Sequence, residues 1–283
     1  MPPRWLPLRV ARREPRKVAR SRSQQSPPGP HSAGFFRLRC GALIIAAVRS
    51  FVTYIVISLY VLVAGLVGML LATVFGWGDI LYILGHGGVR LALALSGIRY
   101  RLAGAEHLPR DRAAVYCANH QSNVDPPLLF TALHPRMHVL YKAELERMPI
   151  LARAFRMGGF IPVNRTNKED AMRSIDAGAA SIRDGHSFLI FPEGTRSETE
   201  ELLPFKKGGF IMAIKAQAPI VPVAIRGGRE AMRRGSRIVR PVTINIRVGA
   251  PIETAGMTLE DRDRLIEAVR LAITSLQREG LGR

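Results

Sequence analysis

Between Ser50 and Gly78 the chain carries no charged residue, and the apolar run from Phe51 to Phe75 exceeds the roughly 20 residues that cross a bilayer as a helix. The pattern predicts a membrane helix, too deep in the chain and too long for a cleaved signal peptide. Arg49 and a basic tail precede it, which sets the N-terminus on the cytoplasmic side. Residues 79–98 are again apolar, but Asp79, Tyr82, His86 and Arg90 fall on one helical stripe, with Arg99 and Arg101 following. That suits a helix in the membrane interface or the returning arm of a hairpin, and either keeps the rest of the chain at the cytoplasmic face. His86 and Arg90 are read as polar positions on that helix, without chemistry.

From Arg99 onward short apolar runs alternate with helical patterns. Strands are expected at 113–118, 137–141, 160–163, 187–191, 219–225 and 241–248, and helices near 127–133, 149–157, 167–183, 207–217 and 259–278. Thr166 with Glu169 and Thr258 with Asp261 match capping boxes, and Gly185 and Gly280 mark helix ends. Such alternation predicts an α/β fold, a sheet covered by helices, behind an N-terminal membrane helix or helical hairpin. The organisation is therefore a tail over 1–39, membrane-anchoring helices over 40–98 and a globular domain over 99–283. No internal repeat is visible.

Charge modifies this picture at the N-terminus. Residues 1–39 hold ten Lys or Arg against the single Glu14, so the tail supplies +9 of the net charge of +19. Rich in Arg, Pro and Ser, it is expected to be disordered, and its charge favours anionic surfaces. The 2 cysteines, Cys40 and Cys117, sit far apart among apolar residues, which excludes a disulfide framework. Cys117 reads as a small core residue rather than a nucleophile.

Two stretches carry candidate chemistry. In Asn119-His120-Gln121-Ser122-Asn123-Val124-Asp125-Pro126-Pro127, an apolar strand leads in and the prolines open a helix, so His120 and Asp125 lie on a strand-to-helix connection. On a continuous helix, positions five apart point about 140° away from each other, so only a folded loop brings the pair together. A carboxylate on one imidazole nitrogen leaves the other free to take a proton from a hydroxyl. Ser122 reads as a cap or donor. The second stretch, Phe191-Pro192-Glu193-Gly194-Thr195-Arg196, follows another strand; Gly194 lets backbone approach a ligand and Arg196 offers a planar fork for phosphate. Glu193 is expected to hold that Arg or a substrate hydroxyl. Lys206 and Lys207 precede a glycine-rich helix start, and Val221-Pro222-Val223 reads as a strand with its proline at an edge or bulge.

Four blocks in this order, His120-x4-Asp125, Gly159-Phe160-Ile161 through Arg165, Phe191 through Arg196, and Val221-Pro222-Val223, resemble the glycerolipid acyltransferases, most closely bacterial 1-acyl-sn-glycerol-3-phosphate acyltransferases. The likeness spans about residues 99–250. It implies that His120 is a general base oriented by Asp125, that Glu193, Gly194 and Arg196, with Arg165, bind the acceptor's phosphate, that Asn119 and Thr195 are substrate-binding residues beside them, and that Val221 and Pro222 lie near the acyl chain. It further implies transfer of a fatty acyl group from acyl-CoA or acyl carrier protein to lysophosphatidic acid, giving phosphatidic acid, without cofactor or metal, at the cytoplasmic face of a bacterial inner membrane. Asn164 stands where many relatives have an acidic residue. Two other readings stay open: an acyltransferase with another acceptor, and a membrane-tethered nucleic-acid binder, against which no stacking aromatic platform is found. His134-x3-His138 has metal-ligand spacing, but Pro135 interrupts it and no acidic third ligand is near.

Overall fold

A computed structural model of the chain describes residues 30–134, 136–164 and 167–279. Contacts divide the chain into two units, Met1–Gly41 and Ala42–Arg283, and the sheet, its covering helices and the apolar run Leu43–Phe75 all lie in the second. Helix α1, Pro30–Phe75, starts inside the stretch 1–39 expected to be disordered. Extending an existing helix costs less than nucleating one, and the apolar run behind Pro30 supplies the nucleus. Residues 1–29 lie outside the described residues.

Within α1, Leu43–Phe75 is 33 residues long and apolar enough to cross a bilayer. Its burial is inverted. Ala46, Ser50, Thr53 and Gly68, spaced as one helical face, are buried, while Phe51, Ile55, Leu59, Leu62, Leu66 and Leu70 are exposed. Small and polar side chains allow close packing, whereas bulky aliphatics left outside in a contiguous patch belong in lipid. The chain thus carries a membrane-associating surface.

Helix α2, Asp79–Ser96, is the returning arm of a hairpin. Tyr60 Oη donates to the Leu84 carbonyl at 2.8 Å. A Cβ on Gly88 would stand 2.8 Å from the Tyr60 ring, so glycine is what lets the arms close. The polar stripe of α2 turns in part onto the globular part, with Arg90 left exposed. Asp79 pairs with Arg136, Tyr82 Oη donates to the Gly158 carbonyl at 2.7 Å and His86 stacks on Phe130 with ring centroids 4.5 Å apart. Those residues fasten the hairpin lengthwise onto the globular part.

That part is a seven-stranded sheet in the order β1-β7-β6-β2-β5-β3-β4. The strands are β1 Arg99–Ala103, β2 Val115–Ala118, β3 Met137–Lys142, β4 Ile161–Val163, β5 Ser187–Ile190, β6 Ile220–Arg226 and β7 Thr243–Val248. All neighbours run parallel except β6 and β7. Helices α3 Asp125–Ala132, α4 Pro149–Met157, α5 Lys168–Arg183, α6 Gly208–Ala216, α7 Gly228–Ala231 and α8 Arg262–Glu279 connect and cover them. One core cluster joins the sheet to α2 and α3 through Leu93, Tyr116, Leu128 and Ile225, and another joins it to α5, α6 and α8 through Phe188, Phe210 and Val269.

Of the local expectations one changes and two hold. Asn167 caps α5, its side chain accepting from the N–H groups of Glu169 and Asp170; Thr166 and Gly280 lie outside the described residues. The Thr258–Asp261 capping box is present. Pro222 lies in an interior strand, at a bulge, the second of the two places expected for it. Its missing N–H falls where the β6–β7 ladder is interrupted, between the Ile220–Ile252 bridge and the Val223–Val248 pair, where the facing chain has one residue more.

Candidate active site

β2 and β5 are adjacent and parallel, with Cys117 opposite Ile190, so the segments that leave them at residues 119 and 191 emerge side by side. Catalytic groups gather at this carboxyl end of an open α/β sheet. The loop 119–124 turns tightly into α3, and Asp125 in the first turn reaches back over it. Its Oδ2 lies 3.0 Å from His120 Nδ1 and accepts from the backbone N–H groups of Gln121 and Ser122 at 2.6 Å each. A carboxylate only accepts, so Nδ1 carries the proton and Nε2 presents its lone pair outward. Asp125 is wholly buried and the His120 side chain is 15% exposed, which leaves the imidazole as the accessible partner.

Glu193 holds the same loop from the other side. Its Oε1 accepts from the His120 N–H at 2.8 Å and its Oε2 from the Leu203 N–H at 2.9 Å, with the side chain buried. Burial pushes its carboxyl above the usual range, and the two N–H bonds pull it back. Phe191 stacks on the His120 ring with centroids 4.3 Å apart, and Ser197 N–H bonds the His120 carbonyl at 2.8 Å. Ser122 Oγ donates to the Met232 carbonyl at 3.0 Å, and burial pushes the Cys117 thiol up, away from nucleophilic use.

The imidazole opens into a cavity of about 770 Å³. His120, Asn123, Lys142, Thr195 and Arg196, with the backbone at Gly194, are among its polar lining. Tyr60, Ala64, Gly85, Phe130, Phe155 and Phe160, from the hairpin and the elements under it, supply much of the apolar wall. Gly194 has φ +70°, a conformation that costs any other residue, and a Cβ there would press on Lys206 at 3.3 Å. No carboxylate pairs with Arg196 among the described residues.

The residues singled out by sequence thus separate into groups. His120 and Asp125 meet; Gly194, Thr195 and Arg196 line the same cavity; Arg165 lies outside the described residues. Asn119 does not reach the cavity: its amide donates to the Ile225 carbonyl at 3.0 Å and accepts from the Ile225 N–H at 2.6 Å, clamping the end of β2 to β6. Glu193 is likewise spent on backbone and neither bonds Arg196 nor lines the chamber. Val221 packs in the core cluster with Tyr116 and Leu128, and Pro222 packs near Gly249, so neither lines the cavity. His134 bonds the Arg136 backbone and His138 the Ser181 hydroxyl, in separate surroundings. Sequence reasoning passed over Phe191 as an aromatic floor for the imidazole. It also missed Gly228, whose lack of a side chain leaves room for Asp125; only its place in a Gly227-Gly228 pair signals it.

The family model described as Acyltransferase matches residues 99–226. The 1-acyl-sn-glycerol-3-phosphate acyltransferase of Limnanthes douglasii is 30% identical over 216 residues, 71% of this chain and 76% of that protein. The chain belongs to the glycerolipid acyltransferases. The mouse 1-acyl-sn-glycerol-3-phosphate acyltransferase alpha is 31% identical to this acyltransferase over 194 residues, 66% of this chain and 68% of the mouse protein. In fold, the crystal structure of the 1-acyl-sn-glycerophosphate (LPA) acyltransferase PlsC from Thermotoga maritima superposes with a TM-score of 0.73 at 22% identity. The match covers 85% of this chain and 99% of that one.

Proposed function

We propose that this acyltransferase moves a fatty acyl group from the thioester of acyl-CoA or acyl carrier protein to the free hydroxyl of 1-acyl-sn-glycerol 3-phosphate. The observation that carries the reading is an imidazole, oriented by a buried carboxylate, opening into a largely apolar chamber whose polar lining includes an arginine with no carboxylate partner among the described residues. Nε2 of His120 takes the acceptor hydroxyl proton as the oxygen attacks the thioester carbonyl carbon. The tetrahedral intermediate collapses, the C–S bond breaks, and the imidazolium returns the proton to the departing thiolate, giving ester and free thiol. Asp125 fixes the tautomer and stabilises the imidazolium through the Nδ1–H bond. A thioester is already activated, so no covalent acyl-enzyme is required. Arg196, with Gly194 and Thr195 beside it, meets the acceptor phosphate with charge-assisted bonds, and Arg165 is assigned the same duty from the motif. The apolar wall takes an acyl chain.

The hairpin binds the domain along its length while its aliphatic flank meets lipid, which suits an acceptor and a product that reside in the bilayer. Arg49 and the basic residues before it support a cytoplasmic orientation for the domain. The test is release of free thiol from acyl-CoA when lysophosphatidic acid is added to protein purified in detergent. Parallel runs use acyl carrier protein as donor and glycerol 3-phosphate or lysophospholipids as acceptors. Thiol release that needs lysophosphatidic acid and is lost in His120→Ala supports the reading; faster release with another acceptor reassigns the substrate.

A further inference from the structure

The segment 226–240 that joins β6 to β7 carries six arginines and one acidic residue, Glu230. It touches two functional parts of the molecule. Toward the membrane helix, Ser50 Oγ accepts from the Val239 N–H at 2.8 Å, and Tyr54 Oη donates to the Arg237 carbonyl at 2.8 Å. Toward the loop after Arg196, Arg234 pairs with Glu198 at 3.0 Å and reaches the Arg196 carbonyl at 3.4 Å. Arg229 donates to the Thr199 carbonyl, and Arg226 stands 3.8 Å from Glu200.

Three of the six arginines hold the 196–201 loop, and Arg240 is half-buried with one guanidinium nitrogen shut away from solvent, so it is not available to a surface. Arg233 and Arg237 are different. Both are exposed, and neither has a carboxylate partner among the described residues. They sit on a segment strapped to α1 at Ser50 and Tyr54, beside Phe51 and Ile55, which are 65% and 53% exposed. Uncompensated guanidinium groups next to a lipid-facing aliphatic surface match the charge of anionic headgroups and the depth at which they lie.

We propose that Arg233 and Arg237 form a docking surface for anionic phospholipid headgroups. Through Arg234, this surface steadies the loop that presents Arg196, so an anionic bilayer improves acceptor binding as well as adhesion. The proposal rests on the membrane association and the lysophosphatidic acid acceptor proposed for this enzyme, and its test separates the failures. The full-length chain is reconstituted in nanodiscs of phosphatidylcholine alone and of phosphatidylcholine with phosphatidylglycerol, and acyl transfer to lysophosphatidic acid is measured in each and in neutral detergent micelles.

Wild type is expected to show a lower KM for the acceptor in the anionic discs, by up to about fivefold for each arginine engaged. Arg233→Gln/Arg237→Gln is expected to remove that difference while keeping wild-type activity in micelles. An unchanged dependence in the double variant, or no dependence in wild type, overturns the proposal. A raised KM for acyl-CoA in micelles also overturns it and makes the pair a site for the donor's phosphates. Absence of transfer to lysophosphatidic acid by wild type in every medium rejects the acceptor reading instead.

Discussion

A β-carbon on Gly228 would stand 2.4 Å from Oδ1 of Asp125. The first turn of α7 is thus packed against the carboxylate that orients His120, and the turn tolerates no side chain there. Gly228→Ala is expected to displace the carboxylate and lower kcat by about a hundredfold, the scale of a catalytic group misplaced by an ångström. Asp125→Asn should lower kcat comparably without that clash. Steady-state kinetics beside thermal melts check both; a Gly228→Ala enzyme of normal kcat would show that the carboxylate can shift without consequence.

Glu193 and Arg196 stand three residues apart and are expected to fail in different ways. Glu193→Gln keeps the shape but turns an amide N–H₂ toward one of two backbone N–H groups. It should cost about 1–3 kcal/mol of stability and lower kcat with little change in KM for the acceptor. Urea unfolding and kinetics on the same preparation give both numbers.

Arg196→Ala should raise the KM for phosphate-bearing acceptors about 10- to 150-fold, equivalent to the ~1.5–3 kcal/mol of a charged hydrogen bond, while the melting temperature holds. An unchanged acceptor KM would remove Arg196 from the phosphate site.

His138 gives the fold a pH dependence of its own. Burial, with the neighbouring His186 charge second, lowers it from 6.5 to about 4. The unfolded chain therefore binds this proton more readily. Stability present above pH 6.5 is lost as pH falls toward 4, by about 2 kcal/mol between pH 8 and pH 5. Melting temperatures across that range should fall in wild type and fall less in His138→Phe; parallel curves would discount the residue.

Ala154 lines the apolar wall. Ala154→Phe should shorten the acyl chain that is transferred fastest while leaving short-chain activity intact, measured with a series of acyl-CoA donors. An unaltered preference would place the acyl chain elsewhere.

The buried strands were legible because β2 and β5 are continuous apolar runs, as strands covered on both faces must be. β1 was not, because Arg99-Tyr100-Arg101-Leu102-Ala103 is an exposed edge strand whose charges hide its register. The His-x4-Asp spacing identified a pair that the loop does bring together. Asn119 and Glu193 share one feature that sequence does not reveal: the hydrogen bonds of their side chains are taken by backbone groups of other segments, at Ile225 for the one and at His120 and Leu203 for the other. The chamber was illegible for a different reason. Tyr60, Ala64 and Gly85 read as parts of membrane helices, and only the lengthwise packing of the hairpin shows that they also wall a cavity.

That double duty means a soluble version of this enzyme is not to be had by cutting ahead of Arg99. The cut would strip one wall from the cavity onto which His120 opens, because the greasy hairpin that serves as mooring also encloses that space.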